Sequence, residues 1–174
     1  GVKIPPPPPI IIDTREQLPY EFLGIASVQR GTLATGDYSL SQHEQSVCVE
    51  RKSKSDAWGC VGGGRQRFTA CLARLGAIGS PAIVIEASLD EFARPPARTR
   101  LTAAQAVGAY ISWSQEFRIP IFFCPSRAYA ERVCLRWLLS YWRHLHDPRK
   151  RPKQGVLDVA NGNDILRLPE ANSR

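Results

Sequence analysis

The chain is predicted to be an α/β protein with a mixed central sheet flanked by helices, and three observations lead there. Short continuous apolar runs of strand length recur at Ile10-Ile11-Ile12, Val47-Cys48-Val49, Pro81 to Ala87 and Ile119 to Cys124. Segments whose large apolar residues repeat at helical spacing alternate with the later runs. An antiparallel hairpin precedes that alternation, so the sheet mixes strand directions.

In chain order, Pro5 to Pro9 is a five-proline run that favours an extended polyproline II lead, residues 1–9. It is read as a stiff spacer before the first strand, with partner binding as the other use of such a segment. Ile10-Ile11-Ile12 is a buried strand that ends in Asp13-Thr14-Arg15-Glu16. Acids are costly in a core, but natural at a sheet rim where a metal or substrate sits. Tyr38 to Leu40 and Val47 to Val49 form a hairpin closed by Gln42-His43-Glu44-Gln45. Ala57 to Val61 is a short helix broken by Gly62-Gly63-Gly64. Arg65 to Leu75 is a second helix, with Phe68, Cys71, Leu72 and Leu75 on its apolar stripe and Arg65, Arg67 and Arg74 on the far side. After the strand from Pro81, a proline-broken loop from Ala93 to Arg100 carries three arginines, either as a nucleic-acid flap or as a polar connection. Thr102 opens a helix running to Phe117, Ile119 to Cys124 is a strand, and Ser126 to His144 is a long helix. The apolar surface of that last helix (Val133, Leu135, Trp137, Leu138, Tyr141, Trp142) is wider than one core-facing stripe needs. Residues 10–146 are therefore one domain and residues 147–174 a basic tail, whose segment Pro148 to Lys153 can track phosphates.

A length of 174 residues suits a single domain with a proper core. The net charge of +7, with a pI near 9.5, favours a polyanionic partner, the more so if several acids are committed to a site. The five cysteines show neither paired Cys-x-x-Cys spacing nor a His pattern, which argues against a zinc knuckle or a disulfide framework. His144 and His146 read as solvated residues at a helix end. No apolar stretch is long enough to span a bilayer and no signal-peptide plan is present. A soluble cytoplasmic protein is expected. The chain contains no methionine, so Gly1 is not expected to be the initiating residue.

The hairpin carries the chemistry. Pairing Tyr38 with Val49 and Leu40 with Val47 turns one apolar face to a core and sets Asp37 opposite Glu50 on the other face, with Lys52 beside them. Two facing carboxylates repel, and a hard divalent cation such as Mg²⁺ removes the repulsion while keeping sites for water and phosphate. The bland alternative is a solvated face where Glu50 and Lys52 balance charge. Arg51 points to the opposite face, where its stem packs and its head pairs with an acid such as Glu16. Ser53-Lys54-Ser55-Asp56 has capping-box spacing, so Asp56 opens a helix or serves the site. Arg65 beside three glycines is placed to meet a phosphate.

Ile12-Asp13-Thr14-Arg15-Glu16, Gly36-Asp37-Tyr38 and Val49-Glu50-Arg51-Lys52-Ser53-Lys54-Ser55-Asp56 together resemble the nuclease domain of the XPF family of structure-specific endonucleases. That family's pattern is Gly-Asp, a variable spacer, Glu-Arg-Lys, three residues and Asp. Here the spacer between Asp37 and Glu50 is twelve residues, and every fixed position is filled. The resemblance runs over roughly residues 10 to 145 and implies a restriction-endonuclease-like fold. It implies that Asp13, Glu16, Asp37, Glu50, Arg51, Lys52 and Asp56 form the catalytic set, with Asp13, Asp37 and Glu50 on the metal, Mg²⁺ or Mn²⁺. Lys54, Arg65 and Arg67 would contact DNA. It further implies pairing of two chains, as a homodimer or heterodimer, through the C-terminal helices. Two features depart from the family: the extra glycines before Gly64-Arg65, and the lack, in this sequence, of the helix–hairpin–helix module that often follows.

The expected activity is metal-dependent hydrolysis of DNA phosphodiesters near flaps, forks, junctions or single-strand boundaries. Some members of the family have lost their metal ligands and act as silent DNA-binding or scaffold subunits. Here Asp13, Asp37, Glu50 and Lys52 are all present, which favours the enzyme. RNA cleavage is the third reading, since a metal site and a basic surface do not by themselves read the sugar.

Overall fold

The computed structural model describes residues 3–150. Six strands, β1 (Ile10–Asp13), β2 (Val28–Gly31), β3 (Tyr38–Leu40), β4 (Val47–Ser53), β5 (Ser80–Glu86) and β6 (Ile121–Phe123), form one sheet in the order β2-β1-β3-β4-β5-β6. The pairs β1–β2, β4–β5 and β5–β6 are parallel, and β3 is antiparallel to both β1 and β4. The expected α/β architecture of a mixed sheet flanked by helices is the one found. Helices α1 (Lys54–Val61), α2 (Arg65–Gly76) and α4 (Ala103–Phe117) pack together with β4 and β5, while α5 (Arg127–His146) packs on β4, β5, β3 and β6. A four-residue helix, α3 (Leu89–Phe92), closes the turn after β5.

Strand alternation divides the core into two layers. Cys48, Ile83 and Ile85 face the layer containing Phe68, Leu72, Tyr110 and Trp113. Val47, Val49, Ala82 and Val84 face the α5 layer with Cys134 and Leu138. Burying each of these larger aliphatic side chains stabilises the sheet by about 1.5–3 kcal/mol. The same alternation fixes the end of β4: Glu50 continues the Cys48 face toward α1 and α2, and Arg51 continues the Val49 face toward α5.

Tyr38 pairs with Val49 in the predicted register. Ser53 caps α1, its Oγ accepting the Asp56 amide at 3.1 Å. Thr102 and Gln105 close a reciprocal capping box on α4, and Arg118 ends that helix in a left-handed conformation at φ 54°. The predicted helix from Ser126 is α5, two residues longer at its C-terminus, with Ser126 as its cap. The sequence reading misses β2, whose side chains are almost wholly exposed, and α3, which is a single turn. The polyproline lead lies against α5, where the Trp142 indole N–H donates to the Pro5 carbonyl at 2.8 Å. Of the basic tail, Pro148–Lys150 forms one 3-10 turn, and the remainder, with Lys153, lies outside the described residues.

Candidate active site

Gly36 places Asp37. Its φ of +82° suits glycine alone, and a Cβ there would stand 2.9 Å from the Cys48 sulfur. Beyond the Tyr38–Val49 pair the ladder changes character. The Asp37 amide donates to the Val49 carbonyl at 2.9 Å, and the Arg51 amide donates to Asp37 Oδ2 at 2.7 Å, so a side chain replaces the backbone acceptor. Asp37 is thus pinned to β4 between Val49 and Arg51, and it lines a polar pocket of about 550 Å³ together with Glu50. Asp13, Glu16, Arg51, Lys52, Asp56, Cys71 and Arg74 also border this pocket.

Burial, and then the neighbouring Glu50, push the Asp37 carboxyl up to about 8, against the weaker opposing pull of the Arg51 amide and Lys52. The charged form of Asp37 is thus disfavoured by burial first and by the second acid next. Lys52 Nζ donates to Glu50 Oε1 at 2.7 Å and lies 5.3 Å from the centre of the Phe68 ring. Burial pulls the Lys52 ammonium toward deprotonation, but Glu50 outweighs it and holds the proton above the ordinary lysine range. Paired with Glu50 in this way, Lys52 is held as a positive charge beside the acids.

Asp13, only 2% exposed, is held on both oxygens. Arg15 Nε donates to Oδ2 at 2.7 Å and the Leu33 amide to Oδ1 at 2.9 Å. Burial opposes its ionisation, yet these donors hold its pKa below the usual value. Among the described residues no group of three or more His, Cys, Asp or Glu side chains is gathered tightly enough to be a ready-made metal cage. Asp37 and Glu50 are the pair whose chemistry fits a hard divalent cation: oxygen donors, Asp37 half-buried and Glu50 buried, mutually repelling and lining one pocket.

Glu16 and Arg51, which border the pocket, also join a second cluster built on the opposite face of β4. The anticipated Arg51–Glu16 pair is present at 3.2 Å, but the main partner of Arg51 is Glu86, which it grips with two donors at 2.7 and 3.1 Å. Arg127 of α5 and the Tyr20 hydroxyl complete the set, donating to Glu86 at 2.9 and 3.0 Å. Glu86, Arg127 and Tyr20 went unnoticed in the sequence, since nothing local marks residues tens of positions apart as partners. Of the two readings of Asp56, the cap is present, its carboxylate accepting from Ser53 Oγ at 2.8 Å, and the residue also stands exposed at the pocket rim.

The three expected DNA contacts separate. Arg67 lines a cleft that adjoins the pocket, together with Arg74. Arg65 turns to the other side of α2, its guanidinium 5.1 Å from the centre of the Trp113 ring. Helical phase explains this: Arg67 and Arg74 lie seven residues, about two turns, apart on one face, whereas Arg65 is more than half a turn from Arg67. Lys54 borders a separate groove with Glu86, Glu91 and Arg94.

A mixed sheet flanked by helices, with two acids and a lysine lining one pocket at its rim, is the plan of the restriction-endonuclease-like fold. The sequence profile of the ERCC4 domain matches residues 12–134. The chain belongs to the ERCC4 domain family, in keeping with the resemblance to XPF nucleases. Among solved structures, XPF from Aeropyrum pernix matches with a TM-score of 0.61 at 22% identity, over 88% of this chain and 69% of that one. XPF from Aeropyrum pernix in complex with DNA matches at 0.60 and 23%, over 82% and 69%. No curated protein matches the chain in sequence. No helix among the described residues is long and apolar enough to cross a membrane.

Proposed function

We propose that this chain is a Mg²⁺- or Mn²⁺-dependent DNA endonuclease that acts inside the cell and selects branched substrates or single-strand boundaries. The observation that carries this reading is Asp37 set against Glu50, with Lys52 clamped to Glu50, in a pocket that basic side chains approach. Asp37 and Glu50, with Asp13 behind them, would hold the cation. When bound it supplies Lewis acidity toward the phosphate and a more acidic water. Lys52 contributes a preorganised positive charge next to the phosphate oxygens, where negative charge builds as water attacks phosphorus and the P–O bond to the leaving oxygen breaks. Arg15, with a side chain 67% exposed, and Arg74 attract the backbone to the pocket mouth. Arg51 acts by fixing the strand that carries Glu50 and Lys52.

The DNA in the neighbouring Aeropyrum complex supports the choice of polymer. Dimerisation is part of the proposal: Tyr129, Val133, Leu135 and Leu139 of α5 line an apolar groove of about 510 Å³ flanked by Arg132 and Arg136. The second reading, a DNA-binding subunit that is silent without a partner, draws on Asp13, whose two oxygens are already committed to Arg15 and Leu33. Cleavage of end-labelled single-stranded, duplex, flap and fork DNA with Mg²⁺, Mn²⁺ or EDTA separates the two. The nuclease cuts with metal only, and Glu50→Ala lowers the rate at least about 100-fold while DNA affinity stays within a few-fold. Binding without cutting by the wild-type protein selects the silent subunit.

A further inference from the structure

The pocket holding Asp37 and Glu50 does not end at Lys52. It opens into a second cleft of about 720 Å³ between α1 and α2, and the two share Lys52, Asp56, Cys71 and Arg74 in their walls, Asp56 being bonded to Ser53. Such a volume is typical of a site for a small organic ligand. Its lining is unusual in two ways. Gly59, Gly63 and Gly64 line it, and Gly59 and Gly63 are exposed, a Cβ added at either meeting no atom within 4 Å, so the cleft is open to solvent on that side and no protein packing fills it. Arg67 and Arg74, both exposed, line the same cleft, and among the described residues neither is in an ion pair. Open backbone and unneutralised guanidinium groups beside a phosphodiester site match a nucleotide: phosphate on the arginines, base and sugar against the glycines. Gly64 is different, because its Cβ would strike the Gly59 carbonyl at 2.9 Å; it holds the turn between the two helices closed.

We propose that this cleft receives one nucleotide flanking the scissile phosphate, unstacked from its neighbours. The inference rests on the nuclease reading and gives it a source of structure selectivity. A slot walled by two packed helices admits a splayed base from a single strand but not a stacked base pair. Cutting is then favoured where the flanking nucleotide is unpaired and costs no stacking to extract.

The test combines plugged clefts with missing bases. Gly63→Leu and Gly59→Leu each place a side chain in the open space, and neither position has a left-handed φ. Gly59 lies within α1, where leucine is the better helix former, so a folded variant is available even if Gly63→Leu perturbs the turn. Cleavage is measured on a fork whose cut position has been mapped, with each nucleotide near it replaced in turn by an abasic one. In the wild-type protein an abasic nucleotide at one flanking position lowers kcat/KM about 10-fold, the scale of one lost base contact. Both leucine variants, with thermal midpoints near wild type, lose a similar factor on intact DNA and are indifferent to the abasic change. If the wild-type protein cuts and both leucine variants match it on every substrate, the cleft assignment falls and the nuclease stands. Leucine variants that keep the full abasic effect overturn it as well. If the wild-type protein cuts no DNA, both readings fall together.

Discussion

Asp37→Asn should stabilise the metal-free protein, and the size of the effect should depend on pH. The folded state raises the Asp37 carboxyl from 3.8 to about 8, by burial first and by Glu50 second. Between those values the folded chain retains a proton that the unfolded chain has released. Stability contributed by this group is therefore complete below about pH 4 and is lost as pH rises through about 8. Each unit corresponds to about 1.36 kcal/mol, which sets a ceiling of about 6 kcal/mol at pH 9. Solvent relaxation around a partly exposed group leaves about 2 kcal/mol or more as the working value. Asparagine retains an oxygen to accept the Arg51 amide but has no charge to lose. In EDTA at pH 9 its melting temperature should exceed that of the wild-type protein by about 5 °C, and the gain should shrink as pH falls toward 4. At 10 mM Mg²⁺ and a dissociation constant of about 1 mM, the cation returns about 1.4 kcal/mol to the wild-type protein and much less to the variant. Differential scanning fluorimetry over pH 4 to 9, with and without Mg²⁺, measures all of this. An Asp37→Asn protein no more stable than wild type at pH 9, or equally favoured at every pH, would refute the picture of two crowded acids.

Two further expectations concern the surroundings of the site. Glu86→Ala removes the carboxylate shared by Arg51, Arg127 and Tyr20 and should cost about 2–4 kcal/mol in urea unfolding, because it leaves a largely buried guanidinium underpaired; Glu86→Gln should recover part of that loss. Arg67→Ala should weaken DNA binding and reduce the slope of log affinity against log salt by about 1, whereas Arg65→Ala, whose guanidinium lies over Trp113 on the other side of α2 and away from the cleft, should change the slope less in the same anisotropy titration.

How much of this was legible in the sequence depends on whether a feature is local. The Tyr38–Val49 register follows from strict alternation on both sides of a polar loop, and it brings Asp37 and Glu50 to one pocket, although the Asp37 amide bonds to Val49 and the regular ladder stops short of a paired Asp37 and Glu50. The Arg51–Glu16 pair followed from the same alternation, since Arg51 had to leave the face of Glu50. Strand β2 could not be read, because Val28–Gly31 is an exposed edge with no apolar pattern to betray it. Arg65 was misplaced beside Arg67 and Arg74, although helical phase separates them. The Glu86 cluster joins β4, β5, α5 and the segment after β1 across dozens of residues, and only the folded chain reveals it.

The bond from the Arg51 amide to Asp37 Oδ2 turns one backbone proton into a spectroscopic probe. Most amides in a sheet look toward a carbonyl whose charge never changes. This one looks toward a carboxyl that can be neutral or ionised, or share its electrons with a cation, and a hydrogen bond strengthens when its acceptor is charged. In a ¹⁵N-correlated NMR spectrum the Arg51 cross-peak should therefore move with pH and with added divalent ion, while the Val84 and Ile83 amides on the neighbouring strand hold still. A single resonance would follow the ionic state of the centre in real time, without substrate and without turnover.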